Sequence, residues 1–116
     1  MSYRKGYKFE WEVRRFLERK GYYVIRSAGS KKPDIIAGKG REVLVIECKY
    51  TSKNKLYVPK SEVKNLLFVS EMFNAKPFFL VKRKNKGFFF VAPDEMEELE
   101  ESFVIDLEKL EELRLS

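Results

Sequence analysis

The residue types best suited to chemistry lie in two short segments, Pro33-Asp34 and, with twelve residues intervening, Glu47-Cys48-Lys49. Two carboxylates and a lysine in this arrangement form the charge pattern of metal-assisted phosphodiester hydrolysis. That reaction needs an activated water and a counterweight to the charge that builds on the phosphorus and the leaving oxygen. Divalent Mg²⁺ (or Mn²⁺ in its place) supplies both, because it takes hard oxygen ligands and keeps waters for substrate and nucleophile. Asp34, Glu47 and the backbone carbonyl of Cys48 are candidate ligands. Lys49 is a candidate to orient or deprotonate the water and to offset phosphate charge. Glu10 is a candidate carboxylate toward a second ion. The plainer alternatives are a same-face salt bridge between Glu47 and Lys49 at a strand end, and a turn aspartate after Pro33.

The positioning elements follow from the pattern around these residues. Val43-Leu44-Val45-Ile46 is apolar at both parities, which predicts a strand buried on both faces. Glu47 and Lys49 continue the Val43/Val45 face, so both side chains emerge on one side. Charged groups at the end of a buried strand are costly unless they pair, bind metal or line a wet cleft. Upstream, a helix is expected over Lys5 to Lys20, with Phe9, Val13, Phe16 and Leu17 on one face and Gly21 as its C-terminal cap. Strands are expected at Tyr22–Arg26, Asp34–Ala37 and Glu42–Tyr50, the last two joined by a turn at Gly38-Lys39-Gly40. Paired as a hairpin, they bring Asp34 and Glu47 within reach of one ion. A second helix is expected from Pro59 to Phe73, with Val63, Leu66, Leu67, Ser70 and Phe73 facing inward. Strands at Pro77–Val81 and Phe88–Val91 follow around Asn85-Lys86-Gly87. Asp94 with Glu97 reads as a helix-opening pair, and Leu107–Leu113 as a final helix. The order predicts a mixed α/β domain over residues 1–116.

Composition narrows the chemistry. The absence of His removes histidine acid–base catalysis and the commonest transition-metal ligand. Gln is absent too, and charged residues reach 36%, a bias that fits a thermophile. The single cysteine makes no internal disulfide, and no basic-then-apolar leader or membrane-length apolar run is present. A reducing, cytoplasmic setting away from membranes is therefore expected. Cys48 faces away from its charged neighbours and reads as a small core residue. The net charge of +6 conceals an asymmetry: residues 1–60 carry 16 basic and 6 acidic side chains, and residues 94–116 carry 2 and 10. A basic body favours a polyanionic partner, nucleic acid above all. Lys53 and Lys55 beside Tyr57 are either a DNA-touching loop or a solvated loop with one packed tyrosine. Phe88-Phe89-Phe90 reads as a strand with one core face and, with Phe78/Phe79 or Phe73, an exposed patch that dimerises. Tyr22-Tyr23 reads as packing rather than base stacking.

Pro33-Asp34…Glu47-Cys48-Lys49 resembles the active-site motif of the PD-(D/E)xK nuclease superfamily. More narrowly, the chain is similar to the archaeal-type Holliday junction resolvases. The segments that carry this likeness are Tyr3–Gly6 with Glu10, Gly21–Lys31, Asp34–Ala37, Ile46–Lys49 and Leu56–Val58, in order over residues 3–60, with a weaker match through Phe73 and Lys82. The resemblance implies a restriction-endonuclease-like fold, a mixed sheet of about five strands flanked by helices. It also implies a homodimer that cuts four-way DNA junctions symmetrically with Mg²⁺. It carries over Glu10, Asp34, Glu47 and Lys49 as the active-site set, with Arg26 and Ser30 near the scissile phosphate. Lys5 and Lys60 match basic positions that touch DNA, and Lys31 and Lys32 of the polar loop join them. One departure is Trp11, which stands where family members commonly place an arginine; Lys8, Arg14 or Arg15 are substitutes. The acidic last 23 residues are unmatched, and are read as a cap over the sheet, part of a dimer interface, or a brake on non-specific binding. Two other readings share these features: a nuclease of the same superfamily acting on other DNA, and a non-catalytic basic DNA-binding module.

Overall fold

The apolar run at residues 43–46 organises the molecule. In the computed structural model it lies in the long strand β3 (Glu42–Thr51), at the middle of a five-stranded sheet ordered β1-β2-β3-β5-β6. The structure describes residues 2–28 and 32–112, with side chains from Phe9 onward. β1 (Tyr23–Arg26), β2 (Ile35–Lys39) and β3 form an antiparallel meander, and β5 (Lys76–Arg83) joins β3 in parallel before turning back into β6 (Phe88–Val91).

Residue parity on β3 divides the core in two. Leu44 and Ile46 pack under α1 (Ser2–Arg19) with its stripe Phe9, Val13 and Leu17, together with Ile35, Ala37, Leu80 and Phe88. Val45 faces the other layer, with Phe79, Val81 and the inward residues Val63 and Leu66 of α2 (Lys60–Met72). A strand sandwiched in this way must be apolar at every position.

Gly21 closes α1 at φ +97°, a left-handed conformation, and the amides of Gly21 and Tyr22 return to the carbonyls of Glu18 and Leu17. A Cβ there would meet the Lys39 side chain at 3.2 Å, so glycine serves both the cap and the close approach.

Several expectations are corrected. The β2–β3 turn is Gly40-Arg41 rather than Gly38–Gly40, because Lys39 still pairs with Glu42. A second antiparallel sheet, ordered β4-β8-β7 from β4 (Lys55–Pro59), β7 (Glu97–Glu98) and β8 (Ser102–Asp106), has no counterpart in the sequence-based expectations. Only its strand β7 falls where a helix was expected to open. Asp94 and Glu97 open no helix; instead Glu95 accepts from the Ala92 amide and caps a short 3-10 turn, Pro93–Glu95. Likewise Leu107–Lys109 forms one 3-10 turn, because Ile105 and Leu107 are both buried at strand spacing in the α2-side core; the end of the expected helix, Leu113, lies outside the described residues.

On α2, Ser70 faces inward as expected, whereas Leu67 and the C-cap Phe73 do not: they are exposed, as are Phe68 and Met72 on the outer face. The phenylalanines of β6 are not that patch. Phe88 and Phe89 are buried on opposite faces of the sheet, and Phe90 meets Phe78 edge to face at 5.4 Å. Tyr22 packs beneath Lys39 as expected, but Tyr23 stands exposed. No helix among the described residues is long and apolar enough to cross a membrane.

Candidate active site

The site forms where the β2–β3 ladder ends. The last rung pairs Ile35 with Ile46; one step further, the Cys48 amide donates to Asp34 Oδ2 at 2.7 Å. The carboxylate thus takes the place of a strand carbonyl, and sheet register fixes it beside Glu47. A strand residue sends its N–H and C=O to the same side, so the Cys48 carbonyl also leaves β3 toward the Asp34 edge. The Cys48 side chain leans on the α1-side core, away from the Glu47 and Lys49 face, and burial pushes its thiol well above the usual range.

Glu47 and Lys49 emerge on the α2 side, as parity requires. Lys49 Nζ lies 3.5 Å from Glu47 Oε2 and also contacts the carboxylate of Glu62, in the first turn of α2. Burial raises the Asp34 carboxyl above its ordinary range, against the opposing Cys48 amide, and nearby Glu10 adds to the rise. Burial also raises Glu47, with Lys49 opposing and the charges of Asp34 and Glu62 adding. Two desolvated carboxylates that repel each other across a strand end are stabilised by a bound cation. Their hard oxygens, with the Cys48 carbonyl, suit Mg²⁺ or Mn²⁺ in kind.

Glu10 is arranged differently. Its Oε1 is gripped by Arg26, at 2.9 Å from Nε and 2.8 Å from Nη2. Among the described residues no three Asp, Glu, Cys or His side chains are gathered as an ion cage. The pair Asp34/Glu47 therefore forms the nucleus, with Glu10 close enough to be felt by Asp34 and tied to Arg26.

The other expected residues are scattered. Ser30 and Lys31 lie outside the described residues, as does the side chain of Lys5 on α1. Lys32, Lys53, Lys55 and Tyr57 are exposed, and the Lys53 carbonyl accepts from Arg83 Nε at 3.2 Å, tying its loop to β5. Lys60 is not free: its Nζ is 3.1 Å from Glu98 of the acidic β7. Of the possible stand-ins beside Trp11, Arg14 pairs with Glu18 and Arg15 lies 5.0 Å over the Trp11 ring, while the side chain of Lys8 is outside the described residues. The residue that sequence reasoning missed is Glu62. Its signal was an acid three residues beyond Pro59, legible only once β4 is known to lead straight into α2.

A mixed sheet with carboxylates and a lysine at the end of its central strand places the protein among the DNA endonucleases. It belongs to the archaeal Holliday junction resolvase family, whose description, "Archaeal holliday junction resolvase (hjc)", matches residues 1–116. The chain is 45% identical over 105 residues to the crossover junction endodeoxyribonuclease Hjc of Methanocaldococcus jannaschii, covering 90% of this chain and 78% of that protein. It is 35% identical over 107 residues to the protein of the same name from Archaeoglobus fulgidus, covering 88% and 79%. The solved structure of A. fulgidus Hjc, a Holliday junction resolvase, superposes with a TM-score of 0.85 at 32% identity, covering 94% of this chain and 92% of that one.

Proposed function

We propose that residues 1–116 form a single nuclease domain that acts as a homodimer and resolves four-way DNA junctions by paired phosphodiester hydrolysis, in the cytoplasm and with Mg²⁺ as cofactor. The observation that carries this reading is the desolvated pair Asp34 and Glu47 at the end of β3, with Lys49 beside them on a basic body. Asp34, Glu47 and the Cys48 carbonyl are the donors that would hold the ion, which when bound supplies an activated water and neutralises charge on the phosphate. Glu10, held by Arg26, would complete the ion's surroundings from α1. The Lys49 ammonium orients the attacking water and faces the phosphate oxygen that gains charge. Arg26 and Ser30 flank the scissile phosphate. Lys5, Lys31, Lys32, Lys53, Lys55 and Lys60 hold the backbone and read its shape rather than its sequence.

Homodimerisation is supported by the exposed apolar side chains of α2, Phe68 and Met72 one turn apart with Leu67 and the C-cap Phe73 on their flanks, which water disfavours. Beside it runs an open groove of about 380 Å³, lined among others by Leu67, Pro77, Phe78 and Pro93. An isologous contact between two such surfaces aligns two active sites for symmetric cuts.

The test offers junction, linear duplex and flap DNA to the wild type, Asp34→Asn and Glu47→Gln, with and without Mg²⁺. Paired nicks confined to junctions are expected from the wild type. Either substitution abolishes them, a loss of at least ~10³-fold, while junction binding persists. Comparable cutting of linear duplex overturns junction selectivity, and activity in both variants overturns the site.

A further inference from the structure

We infer that Glu62 is a positioning residue: it shares the Lys49 ammonium with Glu47, so that the lysine is not locked onto Glu47 in the cleavage reaction. This rests on the reading above, in which Lys49 serves the chemistry and Glu47 takes the ion. The geometry comes first. Lys49 Nζ sits between two carboxylates, in direct contact with Glu62 and 3.5 Å from Glu47 Oε2. A lysine stem is flexible and its ammonium is a point charge that pairs with whichever anion is nearest. Without Glu62, the nearest acceptor is Glu47, whose oxygens the metal needs. The lysine would then occupy the place of the ion on Glu47, and its charge would no longer face the phosphate.

Glu62 is well built for this task. It lies in the first turn of α2, where the helix dipole favours a carboxylate. Val58, at the end of β4, and Val63 and Leu66, on the inner face of α2, are almost completely buried, so the backbone that presents Glu62 is fixed by the core. The Glu62 side chain itself is 36% accessible, while those of Lys49 and Glu47 are 23% and 18%. It therefore closes the α2 side of the site without blocking it. Its negative charge is also felt at Glu47.

The experiment measures single-turnover junction cleavage against Mg²⁺ concentration, with junction affinity measured separately without metal, for Glu62→Ala, Glu62→Gln and Lys49→Ala. Glu62→Ala is expected to cut ten- to a hundredfold more slowly at saturating metal, the range set by misplacing a reacting group by about 1 Å. Its half-saturating Mg²⁺ concentration rises several-fold while junction affinity is unchanged or tighter. Glu62→Gln, which keeps a hydrogen-bonding partner for Lys49, recovers most of the rate. In the Lys49→Ala background, Glu62→Ala adds no further loss. Wild-type rate and metal dependence in Glu62→Ala, with Lys49→Ala inactive, overturns this inference alone. Full activity in Lys49→Ala overturns the parent reading instead. Should Glu62→Ala fail to fold, side-chain ¹⁵N spectra of the Lys49 ammonium decide: a restrained signal in the wild type that persists in Glu62→Gln and mobilises in Glu62→Ser supports the contact, and a signal that is mobile in the wild type or unchanged in Glu62→Ser overturns it.

Discussion

Asp34 and Glu47 are carboxylates in surroundings that prefer them neutral. Burial is the first cause of both raised pKa values, and mutual repulsion adds to it. The folded state therefore holds these protons more tightly than the unfolded chain does. A raised carboxyl contributes stability that is fully present below its unfolded pKa and is lost as pH rises through its folded pKa. At neutral pH, without metal, both groups weaken the fold. Glu47→Gln is thus expected to stabilise the metal-free protein by on the order of 1 kcal/mol, a few degrees in Tm. The gap to wild type should close as pH falls toward the ordinary carboxylate range, and should shrink or reverse when Mg²⁺ is added. Melting curves in a chelator at two pH values check this; an unchanged Tm in Glu47→Gln at neutral pH would show that the carboxylate is adequately solvated.

At the scale of elements, β7 and α2 meet through a contact with consequences for binding. Lys60 at the start of α2 is paired with Glu98, although it is proposed above as a DNA contact. Glu98→Gln should free the lysine, tighten junction binding and steepen the dependence of log affinity on log salt by about 0.9, the release expected for one phosphate contact. An unchanged slope, measured by fluorescence anisotropy, would remove Lys60 from the DNA surface. This contact also shows where sequence reading stops. β3 was legible because a short run that is apolar at both parities suits a strand covered on both faces, and α1 because its stripe repeats at helical spacing. β4 was not, because its partner β8 lies about fifty residues away, and β8 was not, because like β4 it has no long alternating pattern. The acid-rich run from Asp94 onward has helical composition, but Phe103 and Ile105 are drawn into a sheet by the core they complete. The start of α2 at Pro59 was legible, but without β4 its approach to the end of β3 was not, nor the contact between Glu62 and Lys49. The Asp34/Glu47/Lys49 set was visible because it depends only on one hairpin and on strand parity.

For the whole molecule, a basic body and an exposed apolar helix face act together. The face on α2 predicts that Phe68→Ser shifts the protein toward monomer at micromolar concentration, read by light scattering, with paired incision giving way to single nicks. Phe68 is 58% exposed, so the fold itself should survive the change. A variant that stays dimeric would move the interface elsewhere. The position of β3 has a last consequence. Alternate residues of this strand belong to the two separate cores, Ile46 to one and Val45 to the other, and the acidic end of the same strand carries the site. Both layers pack on β3, so Glu47 and Lys49 at its end are expected to melt with the sheet rather than ahead of it.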